Sequence, residues 1–166
     1  MATRFDYDWI IVGSGFGGSV AALRLSEKGY KVAVLECGRR YADDEYAGSA
    51  WNLRRFLWAP RIGLRGITRF TPFKDIFIAS GSAVGGGSAV YANTLYRAKP
   101  AFFENPQWAG LEDWRTALAP HYATAERMLG VQTVPFTSGG QELLKDVAEY
   151  FGAGDTFART PVGVFF

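Results

Sequence analysis

From Tyr7 to Gly18 the chain reads Y-D-W-I-I-V-G-S-G-F-G-G, then S-V-A-A-L-R-L-S-E-K-G from Ser19 to Gly29, then K-V-A-V-L-E from Lys31 to Glu36. Tyr7 to Val12 predicts a short buried strand. Ser19 to Lys28 predicts a helix, with Val20, Ala21, Leu23 and Leu25 at helical spacing and Gly29 closing it as a C′ glycine. Lys31 to Leu35 predicts a second strand, with the acid Glu36 at its end. Between first strand and helix lie Gly13, Gly15 and Gly18, spaced G-x-G-x-x-G. A pyrophosphate binds a helix N-terminus, where free N–H groups and the positive end of the helix dipole point outward. Gly13 permits the tight turn, Gly15 lets the backbone approach the phosphates, and Gly18 lets helix and strand pack closely. Glu36, 18 positions beyond Gly18, sits near the ~20-residue offset of an acid that accepts a ribose hydroxyl. Such an acid suits FAD or NAD and disfavours a 2′-phosphate. The fold class read from this pattern is α/β, a Rossmann-like βαβ unit with a parallel sheet, accompanied by helical and loop segments.

A second glycine cluster follows a candidate strand over Ile76 to Ala79. It reads G-S-A-V-G-G-G-S from Gly81 to Ser88. A nicotinamide dehydrogenase has no general need for a second such loop so soon. An extended FAD does, because it is met by backbone N–H groups along both its pyrophosphate and its isoalloxazine. The alternative reading of this cluster is a flexible hinge.

The whole chain has 166 residues, 48% hydrophobic and 20% charged, with net charge +2. That is a globular balance with length enough for a real core. The charge is too small to argue for nucleic acid, and none is expected as a partner. One cysteine, Cys37, rules out an internal disulfide, which is compatible with a reducing compartment; it is read as a small residue near a strand end. The run Trp9 to Val12 is too short for a signal peptide's apolar core, and nothing approaches the ~18 residues of a membrane span. A cytoplasmic location is expected, with peripheral membrane contact open. Downstream, Leu111 to Leu129 carries helical signals, expected to be interrupted at Pro120 and stopped by Gly130, and Gln141 to Phe151 reads as another helix. The chain ends on an apolar run, Val162 to Phe166.

Both clusters together carry a resemblance. The residues are I-I-V-G-S-G-F-G-G-S-V-A-A-L-R-L (Ile10 to Leu25), V-L-E-C-G (Val34 to Gly38), F-L-W-A-P-R (Phe56 to Arg61), V-G-G-G-S (Val84 to Ser88), Y-A-N-T-L-Y (Tyr91 to Tyr96) and A-E-R-M-L-G-V (Ala125 to Val131). On these the sequence resembles the N-terminal part of the glucose–methanol–choline (GMC) flavoprotein oxidoreductases, most of all their bacterial cholesterol-oxidase-like branch. The resemblance implies an FAD cofactor lined by Gly13, Gly15, Phe16, Gly18, Glu36, Gly81, Gly85, Gly86, Ser88 and Asn93. It implies oxidation of a CH–OH group, in an alcohol or sterol, with oxygen as acceptor. The chain departs from the family at Ser82, where a basic residue is usual, and at Tyr91, where Asn or His is usual; Asn93 is the nearby amide. The family's general base is a histidine of the C-terminal part, with no counterpart here. The sole histidine, His121, is read as structural, so no catalytic residue and no metal ligand is expected in this chain. The chain is therefore expected to be a fragment, its sheet incomplete and its activity absent when alone. The expected organisation is a βαβ unit at 1–40, an aromatic and basic lid-like segment at 41–80, a second FAD-contacting loop at 81–96, and a mainly helical part at 97–166.

From Trp51 to Lys74, Arg54, Arg55, Arg61, Arg65, Arg69 and Lys74 alternate with Trp51, Phe56, Trp58, Phe70 and Phe73, and no acid intervenes. One reading is core aromatics with solvated arginines that pack on an absent half. The other is an interfacial lid touching anionic lipid. Two further functions stay open beside the leading one: another FAD-dependent steroid dehydrogenase, and a non-catalytic nucleotide-binding or membrane-touching module.

Overall fold

The expected strand–helix–strand order is present. Strand β1 (Trp9–Val12) leads through the glycine turn into helix α1 (Phe16–Glu27), which returns the chain to strand β2 (Val32–Leu35). The two strands pair in parallel, Trp9 opposite Val32 through Val12 opposite Leu35. This computed structural model describes residues 5–166, so residues 1–4 of the expected first segment lie outside the described residues. It divides into two units, 1–91 and 92–166.

Helix α1 begins at Phe16, three residues before the sequence-based start. Gly17 and Gly18 thus lie inside it, although each glycine disfavours helix by about 1 kcal/mol relative to alanine. Close packing overrides that preference. A Cβ on Gly18 would run into the Gly13 carbonyl and come within 3.3 Å of the Ile11 side chain. The helix can lie against β1 only if position 18 has no side chain. Gly29 ends the helix with φ +86°, a conformation that glycine adopts without steric cost.

The remainder of the first unit is built from short pieces. Helix α2 (Leu53–Phe56) leads to a two-residue pair, β3 (Trp58–Ala59) with β4 (Leu64–Arg65). An antiparallel hairpin follows, β5 (Thr68–Pro72) with β6 (Phe77–Gly81). The sequence-based strand at Ile76 to Ala79 is therefore real but shifted, and its partner inside the aromatic and basic segment was not legible. Its T-R-F-T-P run mixes charge, ring and proline, and the ladder is carried by backbone bonds. On one face of the hairpin Phe70 stacks on Phe77 at 5.2 Å between centroids and meets Phe56 at 6.1 Å.

The core of this unit lies beneath the glycine clusters rather than between helix and sheet. Its buried apolar side chains are Ile67 and Ala83, with Ser82 and Thr68 beside them. Ser82 N–H donates to the Ile67 carbonyl at 2.7 Å, and Val84 N–H to that of Arg39 at 3.1 Å. The segment after β2 thus runs alongside the second glycine cluster, and a Cβ on Gly38 would collide with the Ser82 carbonyl.

The second unit holds α3 (Pro100–Phe103), α4 (Trp114–Leu129), β7 (Gln132–Thr133), α5 (Gly139–Tyr150) and β8 (Pro161–Val162). Helix α4 is not interrupted at Pro120. That proline removes one bond, to the Thr116 carbonyl in the first turn. Strong helix formers surround it, Asp113 caps the N-terminus through Thr116 N–H, and Gly130 closes the C-terminus at φ +62°. Strands β7 and β8 pair antiparallel, and Leu95 N–H bonds the Pro161 carbonyl. This small patch surrounds Val162, the unit's one buried apolar residue among the described residues, and was absent from the helical expectation.

Candidate dinucleotide-binding site

The site forms where three stretches of the first unit meet. Gly13 takes φ +90°, and its N–H donates to the Leu35 carbonyl at 2.7 Å, so the turn is fastened to the end of β2. Gly15 stands as N-cap of α1 in an extended conformation. No side chain caps the helix, and no acid occupies its first turn. The first N–H groups of a twelve-residue helix are thus left for an outside acceptor. A Cβ on Gly15 would meet nothing within 4 Å. Gly15 is therefore bare on the side facing open space, whereas Gly18 is bare on the side facing protein.

Glu36 reaches back to this turn. Its carboxylate accepts Ser14 N–H at 2.9 Å, the Ser14 hydroxyl at 2.7 Å and Gly38 N–H at 2.9 Å. Partial burial pushes its pKa up, but the hydrogen bonds from Gly38 and Ser14 outweigh that and bring it down to about 2. The carboxylate is ionised at any physiological pH. Beside it, desolvation and the Glu36 charge push the Cys37 thiol up, so that it remains protonated.

The second glycine cluster folds onto the first. Gly85 N–H donates to Ser14 Oγ at 3.0 Å. Gly85 and Gly86 have φ +101° and +56°, and a Cβ on Gly86 would lie 2.9 Å from Gly15 Cα. Gly81 is bare for a similar reason, since its Cβ would strike the Gly86 carbonyl. Ser88 hydroxyl donates back to the Gly85 carbonyl at 2.9 Å. Phe16 packs edge-on against Tyr91 at 5.5 Å and also covers Gly87.

Of the residues singled out from sequence, Gly13, Gly15, Phe16, Gly18, Glu36, Gly81, Gly85, Gly86 and Ser88 belong to this one cluster. Asn93 lies in the second unit, with φ +56° and its carbonyl accepting Gly163 N–H. The two departures from the family pattern have local reasons. Ser82 is 2% exposed, a position where a basic side chain would need a buried partner. Tyr91 is the ring against which Phe16 rests. Sequence reasoning missed Ser14, Gly38 and Gly87. Ser14 sits at a variable position of the glycine motif, and only its polarity hinted at a role. His121 lies exposed on α4. No cluster of His, Cys, Asp and Glu side chains able to hold a metal occurs among the described residues.

An uncapped helix N-terminus, an ionised acid at the tip of the second strand and a paired glycine loop define the class as a dinucleotide-binding βαβ unit. Residues 11–44 match the family described as an NAD(P)-binding Rossmann-like domain. Cholesterol oxidase of Mycobacterium tuberculosis is 55% identical over 161 residues, which is 97% of this chain and 28% of that protein. Cholesterol oxidase of Acinetobacter baumannii is 46% identical over 163 residues, 98% of this chain and 29% of that protein. A GMC-type oxidoreductase of Mycobacterium tuberculosis is 32% identical over 152 residues, 87% of this chain and 23% of that protein. Among solved structures, pyridoxine 4-oxidase from Mesorbium loti overlaps 63% of this chain and 21% of its own, at 28% identity and TM-score 0.44. Over nearly its whole length the chain is similar to the N-terminal part of cholesterol oxidases and, less closely, to a GMC-type oxidoreductase. It spans under a third of the length of the curated relatives it matches.

Proposed function

We propose that this chain binds the ADP half of FAD and is the N-terminal portion of an oxidoreductase acting on the CH–OH group of an alcohol or sterol, with oxygen as electron acceptor. One observation carries the reading: the open, uncapped N-terminus of α1 at Gly15 lies beside the ionised Glu36 carboxylate, and the second glycine loop is bonded to the residue between them. The residues present fit the cofactor. The α1 N-terminus and the Gly85–Gly86 backbone would face the pyrophosphate, and Glu36 would accept ribose hydroxyls, with Gly13, Gly18 and Gly81 giving the backbone its shape. Phe16 and Ser88 complete the set proposed within the first unit. When bound, the flavin supplies the hydride-accepting chemistry.

The proposed division follows the sequence: a βαβ unit at 1–40, a lid-like segment at 41–80, the second loop at 81–96 and a helical part at 97–166. Peripheral membrane contact through 51–74 is supported by six cations without an acid in that stretch and by exposed Trp51, Ile62 and Phe73. Among the described residues no helix is long and apolar enough to cross a membrane.

Isothermal calorimetry with FAD, ADP and NADP tests the central reading. FAD and ADP are expected to bind more tightly than NADP, because the Glu36 carboxylate repels a 2′-phosphate. Tighter NADP binding would refute it.

A further inference from the structure

A carboxylate offers about four lone-pair directions, and protein donors address all four on Glu36. Oε2 takes Ser14 N–H and the Ser14 hydroxyl; Oε1 takes Gly38 N–H and, at 3.4 Å, the Cys37 thiol. Two of these donors are main-chain, and the thiol is the longest and weakest. Ser14 is 9% exposed, and its carbonyl is held by the Ser19 hydroxyl at 2.6 Å. Its Oγ gives its one proton to Glu36 and accepts Gly85 N–H, 71 positions along the chain. The polarity of this relay is thereby set: Gly85 N–H to Ser14 O–H to Glu36 carboxylate, each bond polarising the next.

We propose that Ser14 is a positioning residue whose hydroxyl locks the Glu36 carboxylate and the second glycine loop into one unit, so that ribose recognition and loop placement are coupled. This rests on the dinucleotide-binding reading above. A ribose hydroxyl arriving at Glu36 displaces the Cys37 thiol and leaves the Ser14 relay in place. Neither glycine motif alone would produce that coupling, since the only side chain linking them through both bonds is at position 14.

The test combines amide hydrogen exchange at Gly85 with ADP titration of the full chain. Ser14→Ala is expected to speed Gly85 exchange and to weaken ADP binding about tenfold, the loss of one hydrogen bond to a charged group. Ser14→Thr, which keeps the hydroxyl, is expected to restore both. Glu36→Gln removes one carboxylate oxygen without touching Gly85, and is also expected to speed Gly85 exchange. That arm keeps the proposal testable if Ser14→Ala does not fold. Gly85 exchange unchanged in Ser14→Ala, or in Glu36→Gln, overturns the proposal. Exchange needs no nucleotide, so failure of the wild-type chain to bind ADP would count against the function reading alone.

Discussion

Gly15 and Gly18 look alike in the motif but do different work, and substitution should separate them. A side chain at Gly15 meets nothing within 4 Å. Gly15→Val should therefore leave the chain as folded as the wild type while abolishing ADP binding, as checked by circular dichroism beside calorimetry. Gly18→Ala places its methyl against the Gly13 carbonyl and Ile11, so it should destabilise α1 before nucleotide is added. Unchanged binding in Gly15→Val would make the first cluster a structural turn only. Glu36 gives a second prediction. Its folded pKa of about 2 lies below the ordinary 4.5, so the folded state binds fewer protons than the unfolded one between those values. The stability it contributes is complete above about pH 4.5 and is lost as pH falls through about 2. The Glu36 carboxyl carbon shift followed by NMR should titrate near the lower value, and Ser14→Ala should raise it.

At the scale of elements, helix α5 shows how local chemistry sets boundaries that periodicity blurs. Ser138 and Gln141 form a reciprocal capping box: Ser138 Oγ accepts Gln141 N–H, and the Gln141 side chain accepts Ser138 N–H at 2.8 Å. The helix therefore starts at Gly139, two residues before the apolar pattern suggests. Ser138→Ala should cost about 1 kcal/mol of stability in urea unfolding of the second unit, and Ser138→Asp should recover most of it. Helix α4 makes the opposite point, since its caps and helix-forming neighbours carry it through Pro120. The βαβ element was legible because its strand, turn, helix and acid each have a local signature. Strand β5 was not, because its T-R-F-T-P run lacks a strand pattern, and the β7–β8 pair was not, because its two-residue strands depend on partners about thirty positions away.

For the whole chain, accessible surface amounts to 12,998 Å². Two separate globules of roughly 10 and 8 kDa, the sizes of the two units, would together expose only about 9,800 Å². Large apolar side chains are among the exposed residues. On the β1–β2 face opposite α1, Ile10, Val12 and Leu35 are exposed, and on α5 so are Leu143, Val147 and Tyr150. A parallel sheet is ordinarily covered on both faces. The 166-residue chain alone is accordingly expected to show no hydrogen peroxide release with cholesterol or simple alcohols, even when loaded with FAD. The resemblance implies that the hydroxyl proton is taken by a histidine of the C-terminal part, and the one histidine here, His121, is exposed on α4. Turnover that survives purification and disappears in His121→Ala would overturn this expectation.

The sequence by itself determined the βαβ unit, the glycine turn that leads into its helix and the acid at the end of its second strand. Each rests on interactions within about thirty residues, where glycine spacing and apolar period leave few alternatives. Only the tertiary structure decided that the second glycine cluster folds onto the first, that Gly86 is bare because Gly15 lies against it, and that Ser14 joins Glu36 to Gly85. The contacts between the two glycine clusters bridge about seventy positions. No local propensity encodes them, because they arise from backbone surfaces that meet only after β5–β6 has turned the chain back beneath the site.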